Sequence, residues 1–227
     1  MSFKLPQLLI IAFLLTLFSC NTNEKQADNQ NQDKTPIVNP SAQKEAKNIV
    51  FFGTSLTAGY GLEPGQAYPE LIQHRLDSLG LPYKAVNAGL SGETSAAGKG
   101  RIGWLLKQHV SIFVLELGAN DGLRGIPVKE TTSNLQAIID SVKTSYPDAK
   151  LMLAGMEVPP NMGDKYAADF RAMFKLLAEK NNMTFLPFLL KDVAGIPKLN
   201  QKDGIHPTQI GQTIVAKNVW ETLEPLL

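Results

Sequence analysis

Five short apolar runs, separated by longer amphipathic stretches, constrain the fold of this chain more than any other feature of its sequence. The runs occupy residues 49–52, 85–86, 112–115, 151–154 and 184–186. Runs that are apolar at nearly every position are typical of strands buried on both faces of a parallel sheet. Because strands and helices alternate, we predict an α/β fold with right-handed crossovers and helices on both faces of a five-stranded parallel sheet.

The amphipathic stretches predict helices over residues 68–79, 95–108, 132–144 and 164–180, and a last helix that begins at Pro207. In open parallel sheets, ligands bind outside the carboxyl ends of the strands. The polar residues that directly follow each predicted strand are therefore the first candidates for a functional site.

The first twenty residues predict an export signal rather than part of the fold. Lys4 places a positive charge before the apolar run 8–18, which is shorter than the roughly 20 residues that span a bilayer. The run is followed by Ser19 and Cys20, an arrangement that resembles the bacterial lipobox, in which the cysteine carries lipid and becomes the new N-terminus. The alternative is an ordinary secretory signal beside a free cysteine.

The residues after Cys20 predict a disordered tether between this anchor and a folded domain. They include no aromatic residue and few apolar ones up to Lys47, so they cannot bury enough surface to offset the entropy of ordering. We predict a signal peptide over 1–19, a lipidated cysteine and tether over 20–47, and the folded domain over 48–227. This organisation predicts a membrane-anchored lipoprotein of the bacterial cell envelope that faces the periplasm or the exterior.

Charge and ligand counts exclude several classes of partner. The chain has 22 Lys and Arg residues against 21 Asp and Glu residues, so no basic excess favours nucleic acid. One cysteine and three histidines offer no pattern of metal ligands. We expect no metal and no other cofactor, and a monomer that meets a membrane through the lipid on Cys20.

Four polar clusters lie after the first three predicted strands and before the last predicted helix. They cover residues 53–60 (GTSLTAGY), 87–94 (NAGLSGET), 116–122 (ELGANDG) and 203–207 (DGIHP). The carboxyl ends of parallel strands meet at one edge of a sheet, so we expect the clusters to converge. Together they contain the serine, histidine, aspartate and asparagine side chains that acyl transfer uses.

These clusters resemble the four sequence blocks of the SGNH, or GDSL-type, hydrolases, in the same order and with matching spacing across essentially the whole predicted domain. The second, third and fourth clusters most resemble the bacterial thioesterase/lysophospholipase/arylesterase branch. The resemblance implies a three-layer α/β/α sandwich with a flavodoxin-like sheet. The sequence departs from the family in one place, because Thr54 stands where the first block usually has an aspartate before the serine.

The residues themselves favour a Ser-His-Asp mechanism. Ser55 lies in a glycine-flanked turn after a strand, and a serine hydroxyl becomes nucleophilic when a neighbouring base takes its proton. His206 is the only histidine in the clusters, and Asp203 lies three residues before it, close enough to orient the ring. The resemblance further implies an oxyanion hole made by the backbone N–H groups of Ser55 and Gly92 and the side-chain amide of Asn120.

A proline-containing segment after the fourth predicted strand is a candidate for acyl-chain binding. By its position, the segment 156–163 resembles the mobile loop that closes over the acyl chain in the thioesterase/lysophospholipase branch. We expect Met156, Val158 and Met162 to line an apolar groove, to which Phe188 contributes. The alternative is that these side chains only complete the core.

The leading hypothesis is a serine esterase that acts on aryl esters and lysophospholipids, and that extends to acyl thioesters. A carbohydrate esterase that removes acetyl groups from a glycan would use the same catalytic residues in a wide polar cleft. A catalytically silent lipoprotein that binds a glycan or a lipid is a third hypothesis. The intact set of Ser55, Asp203 and His206 argues against this third hypothesis.

Overall fold

The computed structural model describes residues 47–227, so the predicted signal peptide, Cys20 and nearly all of the predicted tether lie outside the described residues. Five strands form one parallel sheet in the order β2-β1-β3-β4-β5. They are β1 (Lys47–Gly53), β2 (Tyr83–Gly89), β3 (Ile112–Glu116), β4 (Lys150–Ala154) and β5 (Thr184–Leu186). This order confirms the predicted flavodoxin-like parallel sheet.

Seven α-helices of the described chain surround the sheet. They are α1 (Ser55–Ala58), α2 (Tyr68–Ser78), α3 (Ser95–Leu105), α4 (Ala119–Leu123), α5 (Val128–Ser145), α6 (Asp164–Asn181) and α7 (Gln209–Leu223). Helix α2 packs against α7, whereas α3 and α6 both pack against α5, so helices cover both faces. Within residues 47–227, no helix is long and apolar enough to cross a membrane.

The two central strands form the middle of the hydrophobic core. Their side chains at 49–52 and 112–115 are almost completely buried between the helical layers. Strand β2 is longer than its apolar run predicted. It is an edge strand that pairs only with β1, and its partly exposed positions tolerate Lys84 and Asn87.

The last helix begins two residues later than predicted. Thr208 caps its N-terminus, because Oγ1 of Thr208 accepts a hydrogen bond from the backbone N–H of Gly211 at 3.3 Å. Pro207 instead pairs with Asn200 in a short antiparallel bridge. Pro207 therefore belongs to the loop that carries His206.

The strand order places a crevice at one edge of the sheet. The chain leaves β1 towards β2 on one side and returns to β3 on the other, so the two connections diverge at the carboxyl ends of β1 and β3. Such a switch point is where open α/β sheets bind ligands. Ser55 follows β1, and Asn120 follows β3.

Candidate active site

Ser55, His206 and Asp203 form one hydrogen-bonded chain at this crevice. Nε2 of His206 lies 2.8 Å from Oγ of Ser55, and Nδ1 of His206 lies 2.7 Å from Oδ2 of Asp203. Ser55 is the first residue of α1, whereas His206 and Asp203 lie on the loop before α7. The structure therefore brings together the serine, histidine and aspartate that the sequence singled out.

The carboxylate of Asp203 also organises its own loop. Its Oδ1 accepts hydrogen bonds from the backbone N–H groups of Ile205 at 2.9 Å and His206 at 3.0 Å. The hydrogen bond from the His206 ring and these two backbone bonds lower the pKa of Asp203 to about 2. An ionised Asp203 favours a proton on Nδ1 of His206, which leaves Nε2 free to accept the serine proton.

Tyr60 and Gln201 hold the histidine loop against the segment after α1. The rings of Tyr60 and His206 lie with their centroids 4.6 Å apart. Nε2 of Gln201 donates to the backbone carbonyls of Tyr60 at 2.7 Å and Pro207 at 3.1 Å. No pattern in the sequence pointed to either residue, although Tyr60 is the last residue of the first polar cluster.

The three expected oxyanion donors follow three adjacent strands. The backbone N–H of Leu90 donates to the carbonyl of Gly53 at 2.9 Å, which holds the second cluster against the first. Nδ2 of Asn120 donates to the carbonyl of Glu93 at 3.0 Å, which joins the third cluster to the second. Gly92 has a φ of 78°, so its left-handed backbone favours glycine; a Cβ there would meet no atom within 4 Å.

A buried ion pair fixes the loop that carries Gly92. Arg101 contacts both carboxylate oxygens of Glu93, with Nε 2.8 Å from Oε1 and Nη2 2.6 Å from Oε2. Nη2 also donates to the carbonyl of Ala88 at 2.9 Å, and the guanidinium lies 4.3 Å from the centroid of the Phe52 ring. Such a pair offsets the cost of burying the Glu93 carboxylate. The pair therefore holds the Glu93 carbonyl that orients Asn120.

Asp121, beside Asn120, is completely buried and anchors α4. Its carboxylate accepts a hydrogen bond from the backbone N–H of Ser95 at 2.8 Å and another from the Ser95 hydroxyl. Ser95 is the first residue of α3. The contact fixes the position of α4, and with it the position of Asn120, relative to α3.

A second buried carboxylate, Glu116 at the end of β3, lies under the turn that carries Ser55. Its Oε2 accepts the backbone N–H of Thr54 at 2.8 Å and the hydroxyl of Thr57 at 2.7 Å, and its Oε1 accepts the hydroxyl of Thr54 at 3.0 Å. Burial raises the pKa of Glu116 to about 7, although these hydrogen bonds oppose the shift. No role for Glu116 was predicted from the sequence; the available signal was one acid at the end of an otherwise apolar strand.

The expected groove residues divide into two groups. Met156 is only 4% exposed and lies in the hydrophobic core, so the expectation that it lines a groove is wrong; the segment turns its side chain inward after β4. Phe188 is partly buried and packs against the same core. Val158 lies against Gly122 of α4, and Met162 lies near Gly125 just after it. Val158 and Met162 therefore remain candidates beside the helix that carries Asn120.

Comparison with known proteins identifies the family. The model of the GDSL-like Lipase/Acylhydrolase family matches residues 51–214, which covers most of the described domain. The chain belongs to the GDSL-like lipase/acylhydrolase family. The match includes all four polar clusters, and it confirms the resemblance found in the sequence.

Curated relatives of this acylhydrolase extend over most of its length. It is 37% identical to the esterase TesA of Pseudomonas aeruginosa, over 82% of this chain and 92% of the relative. It is also 37% identical to thioesterase 1/protease 1/lysophospholipase L1 of Escherichia coli K12, over 80% of this chain and 86% of the relative. The crystal structure of the psychrotrophic esterase EstA from Pseudoalteromonas, inhibited by monoethylphosphonate, superposes with a TM-score of 0.75 at 32% identity, and covers 79% of this chain and 97% of EstA.

Proposed function

We propose that this acylhydrolase is a serine esterase that cleaves carboxylic acyl esters through an acyl-enzyme on Ser55. One observation carries the proposal. The Ser55 hydroxyl, the His206 ring and the Asp203 carboxylate form one hydrogen-bonded chain at the switch point of the sheet. This is the arrangement in which a histidine activates a serine and an aspartate orients the histidine.

In the first half of the reaction, Oγ of Ser55 attacks the ester carbonyl carbon while Nε2 of His206 takes the hydroxyl proton. The Asp203 carboxylate stabilises the imidazolium that forms. The tetrahedral intermediate collapses as His206 returns the proton to the leaving alcohol oxygen. The products of this half are the free alcohol and an acyl group on Ser55.

In the second half, His206 takes a proton from water, and the resulting nucleophile attacks the acyl carbon. Collapse of the second intermediate releases the carboxylic acid and returns the proton to Oγ of Ser55. In both halves the negative oxygen needs preorganised donors, and we assign this role to the N–H groups of Ser55 and Gly92 and the amide of Asn120. Loss of one such donor typically costs about 100- to 1,000-fold in rate.

Exposed aliphatic side chains around the site favour an apolar acyl ester over a glycan. Leu90 next to the Gly92 loop, Leu123 at the end of α4 and Ile205 next to His206 are all about half exposed. A sugar would instead be met by polar groups and several aromatic rings, whereas exposed Tyr60 beside His206 is one aromatic ring among these three aliphatic side chains. Esters with a fatty acyl chain, including aryl esters, lysophospholipids and acyl thioesters, are therefore the proposed substrates, and the thioesterase and lysophospholipase names of the E. coli relative support this class.

Selective labelling tests the proposed nucleophile. An aryl-ester phosphonate should attach one phosphonyl group to the wild-type protein, and peptide mass spectrometry should find it on Ser55. Ser55→Ala should remain folded and unlabelled, with less than about 0.1% of wild-type kcat/KM. Ser91→Ala, which removes a hydroxyl from the neighbouring cluster, is the matched control and should be labelled normally. Label on another residue, or activity in folded Ser55→Ala, would refute the proposal.

We further propose that lipid on Cys20 anchors the enzyme to a membrane of the bacterial cell envelope. The support is the order of charge, apolar run and cysteine in the first twenty residues. The segment from Cys20 to Lys47 is long enough for the catalytic domain to reach substrates away from its anchor, because an extended chain spans roughly 3.5 Å per residue. Among the proposed substrates, lysophospholipids are amphipathic lipids and are concentrated at such a membrane.

A further inference from the structure

The turn that carries Ser55 is held by Glu116, a side chain that no step of the proposed mechanism uses. The two residues that contact its carboxylate, Thr54 and Thr57, stand on either side of Ser55 in the chain. Glu116 itself comes from the neighbouring strand β3 and is completely buried. Within the described domain, Glu116 is therefore the one carboxylate that forms hydrogen bonds to the nucleophile turn on both sides of Ser55.

The hydrogen-bond partners of Glu116 suit an ionised carboxylate. The backbone N–H of Thr54 can only donate, and an ionised carboxylate can only accept. When Glu116 is ionised, the Thr57 hydroxyl donates to it, and the Tyr68 hydroxyl, 2.8 Å away, donates to Oγ1 of Thr57. With an ionised Glu116, every hydrogen of this network has an acceptor. A protonated Glu116 would bring an extra hydrogen, and Oγ1 of Thr54 would have to turn to accept it.

The other groups around the network supply no cation to balance the carboxylate. Helix α2 presents the titratable side chains of Tyr68 and Glu70, and α7 presents the neutral Gln212, whose Oε1 accepts the N–H of Tyr68 at 3.0 Å. Across Ser55 stands His206. Space is equally restricted, because a Cβ on Gly53 would clash with both Thr57 and Glu116. Only hydrogen bonds therefore stabilise the charge, and these are the bonds that fix the turn.

We propose that ionised Glu116 is a positioning residue for Ser55, and that its protonation releases the nucleophile turn and lowers kcat. The proposal rests on the proposed role of Ser55 as nucleophile. When Glu116 is protonated, Thr54 loses its acceptor and reorients, and the adjacent Oγ of Ser55 moves out of line with Nε2 of His206. A misplacement of this kind slows chemistry much more than it weakens substrate binding. Activity in acid therefore falls as Glu116 is protonated.

The test compares the wild-type enzyme with Glu116→Gln between about pH 5.5 and pH 9, with kcat and KM measured separately on one aryl ester. Glutamine keeps the shape of the side chain and imitates its protonated form. At the alkaline end kcat of the variant should be at least about tenfold below wild type, with KM within about twofold. At the acid end the ratio of wild-type kcat to variant kcat should shrink towards about twofold, because Glu116 of the wild type is then protonated too. A ratio that is constant over this range would overturn the proposal.

Two further variants separate positioning from general damage. Thr57→Val removes one donor to the carboxylate, which makes ionisation harder, so the acid limb of kcat should move to higher pH. Thr57→Val also tests the proposal if Glu116→Gln fails to fold. If kcat of Thr57→Val falls in acid at the same pH as kcat of the wild type, the proposal is overturned. Glu70→Gln is the matched control. Glu70 does not contact the Glu116 carboxylate; its Oε1 accepts from Nδ2 of Asn87 at 2.9 Å, and the same amide donates to the carbonyl of Thr57 at 2.9 Å. The pH profile of this variant should run parallel to that of the wild type.

Failure of this inference is distinguishable from failure of the proposed function. If folded Ser55→Ala keeps its activity, the nucleophile is wrong and the proposed function falls. If Ser55→Ala is inactive and the wild type is labelled on Ser55, while Glu116→Gln differs from wild type by a constant factor, only the positioning role of Glu116 falls.

Discussion

Oγ of Ser55 lies 2.8 Å from Nε2 of His206, although 151 positions separate the two residues in the chain. The contact joins the end of the first strand to the loop before the last helix, so almost the whole sheet must form before it exists. The Asp203 carboxylate completes the chain from within the same loop as His206. The proposed catalytic mechanism therefore depends on a long-range contact and on a short-range one.

The losses of kcat caused by replacing Ser55 and His206 should not be additive. Ser55→Ala and His206→Ala should each lower kcat by at least about 1,000-fold, and the double variant should lose no more than about tenfold beyond the worse single variant. The reason is that neither residue can activate the ester without the other. Steady-state kinetics on an aryl ester, with folding checked by circular dichroism, measures this. Losses that multiply in the double variant would show that the two residues act independently.

Thr54→Asp should move the acid limb of the pH profile to higher pH. Both carboxylate oxygens of Glu116 lie about 3 Å from Oγ1 of Thr54, so a second carboxyl group there would share a proton with Glu116. Activity should return to within about tenfold of wild type only at the alkaline end of the profile, where Glu116 loses the shared proton. Thr54→Asn, of the same size and without charge, should leave the limb where it is. An unmoved limb in Thr54→Asp would contradict the shared proton.

Glu116→Gln should make the protein more stable at alkaline pH even as it lowers activity. The folded-state pKa of Glu116, about 7, lies above its usual value of 4.5, so the folded protein binds more protons than the unfolded chain between these values. The stability from the neutral acid is fully present below the lower value and is lost as pH rises through the upper one. Wild type should lose on the order of 1–3 kcal/mol of unfolding free energy over this window, whereas the variant should lose less.

Urea unfolding at about pH 5 and pH 8 measures this difference. Asp203 does not interfere, because hydrogen bonds lower its pKa to about 2 and its own contribution is lost only in stronger acid. If Glu116 serves the fold alone, the glutamine variant should be less stable at both values of pH. A variant that loses stability at about pH 8 would therefore contradict the predicted sign.

The acyl-chain profile should test whether Val158 and Met162 line an apolar groove beside α4. Each buried CH₂ is worth about 0.8 kcal/mol, so kcat/KM for aryl esters should rise by up to about fourfold per carbon until the groove is full. Met162→Asp should flatten this rise and leave acetyl ester hydrolysis nearly unchanged. Met156→Leu is the control, because Met156 is buried and its replacement conserves volume, so the profile should keep its shape. A profile that peaks at acetate, with acetate released from an acetylated glycan, would favour the carbohydrate-esterase alternative.

Cys20→Ala should release the enzyme from membranes without changing its specific activity. Two or more acyl chains hold a protein far more firmly than one, because each buried CH₂ contributes about 0.8 kcal/mol. Fractionation of cells that produce wild type or variant, followed by mass spectrometry of the mature N-terminus, measures both the anchor and its cleavage site. Wild-type protein found mainly in the soluble fraction would contradict lipidation.

The order of elements and the location of the site were predictable because both are encoded locally. Buried strands appear as apolar runs, and the strand-end rule then selects Ser55, Asn120 and the loop of His206 without any knowledge of contacts. The length of strand β2 was underestimated because the prediction relied on the same local signal. As an edge strand it is only partly buried, so its polar positions weakened the apolar signal.

Side-chain orientation and the network beneath the nucleophile were decided by the tertiary structure. Met156 and Val158 are two positions apart, yet only the packing of the loop sends Met156 into the core and Val158 against Gly122. In the sequence, Glu116 is simply one acidic residue at the end of an apolar run. Its role appears only when β3 is placed beside β1, which brings it to Thr54 across 62 positions. The sequence alone thus determined the sheet and the residue types of the proposed active site, whereas the position of the buried carboxylate beneath the turn of Ser55 came from long-range packing, which no local pattern encodes.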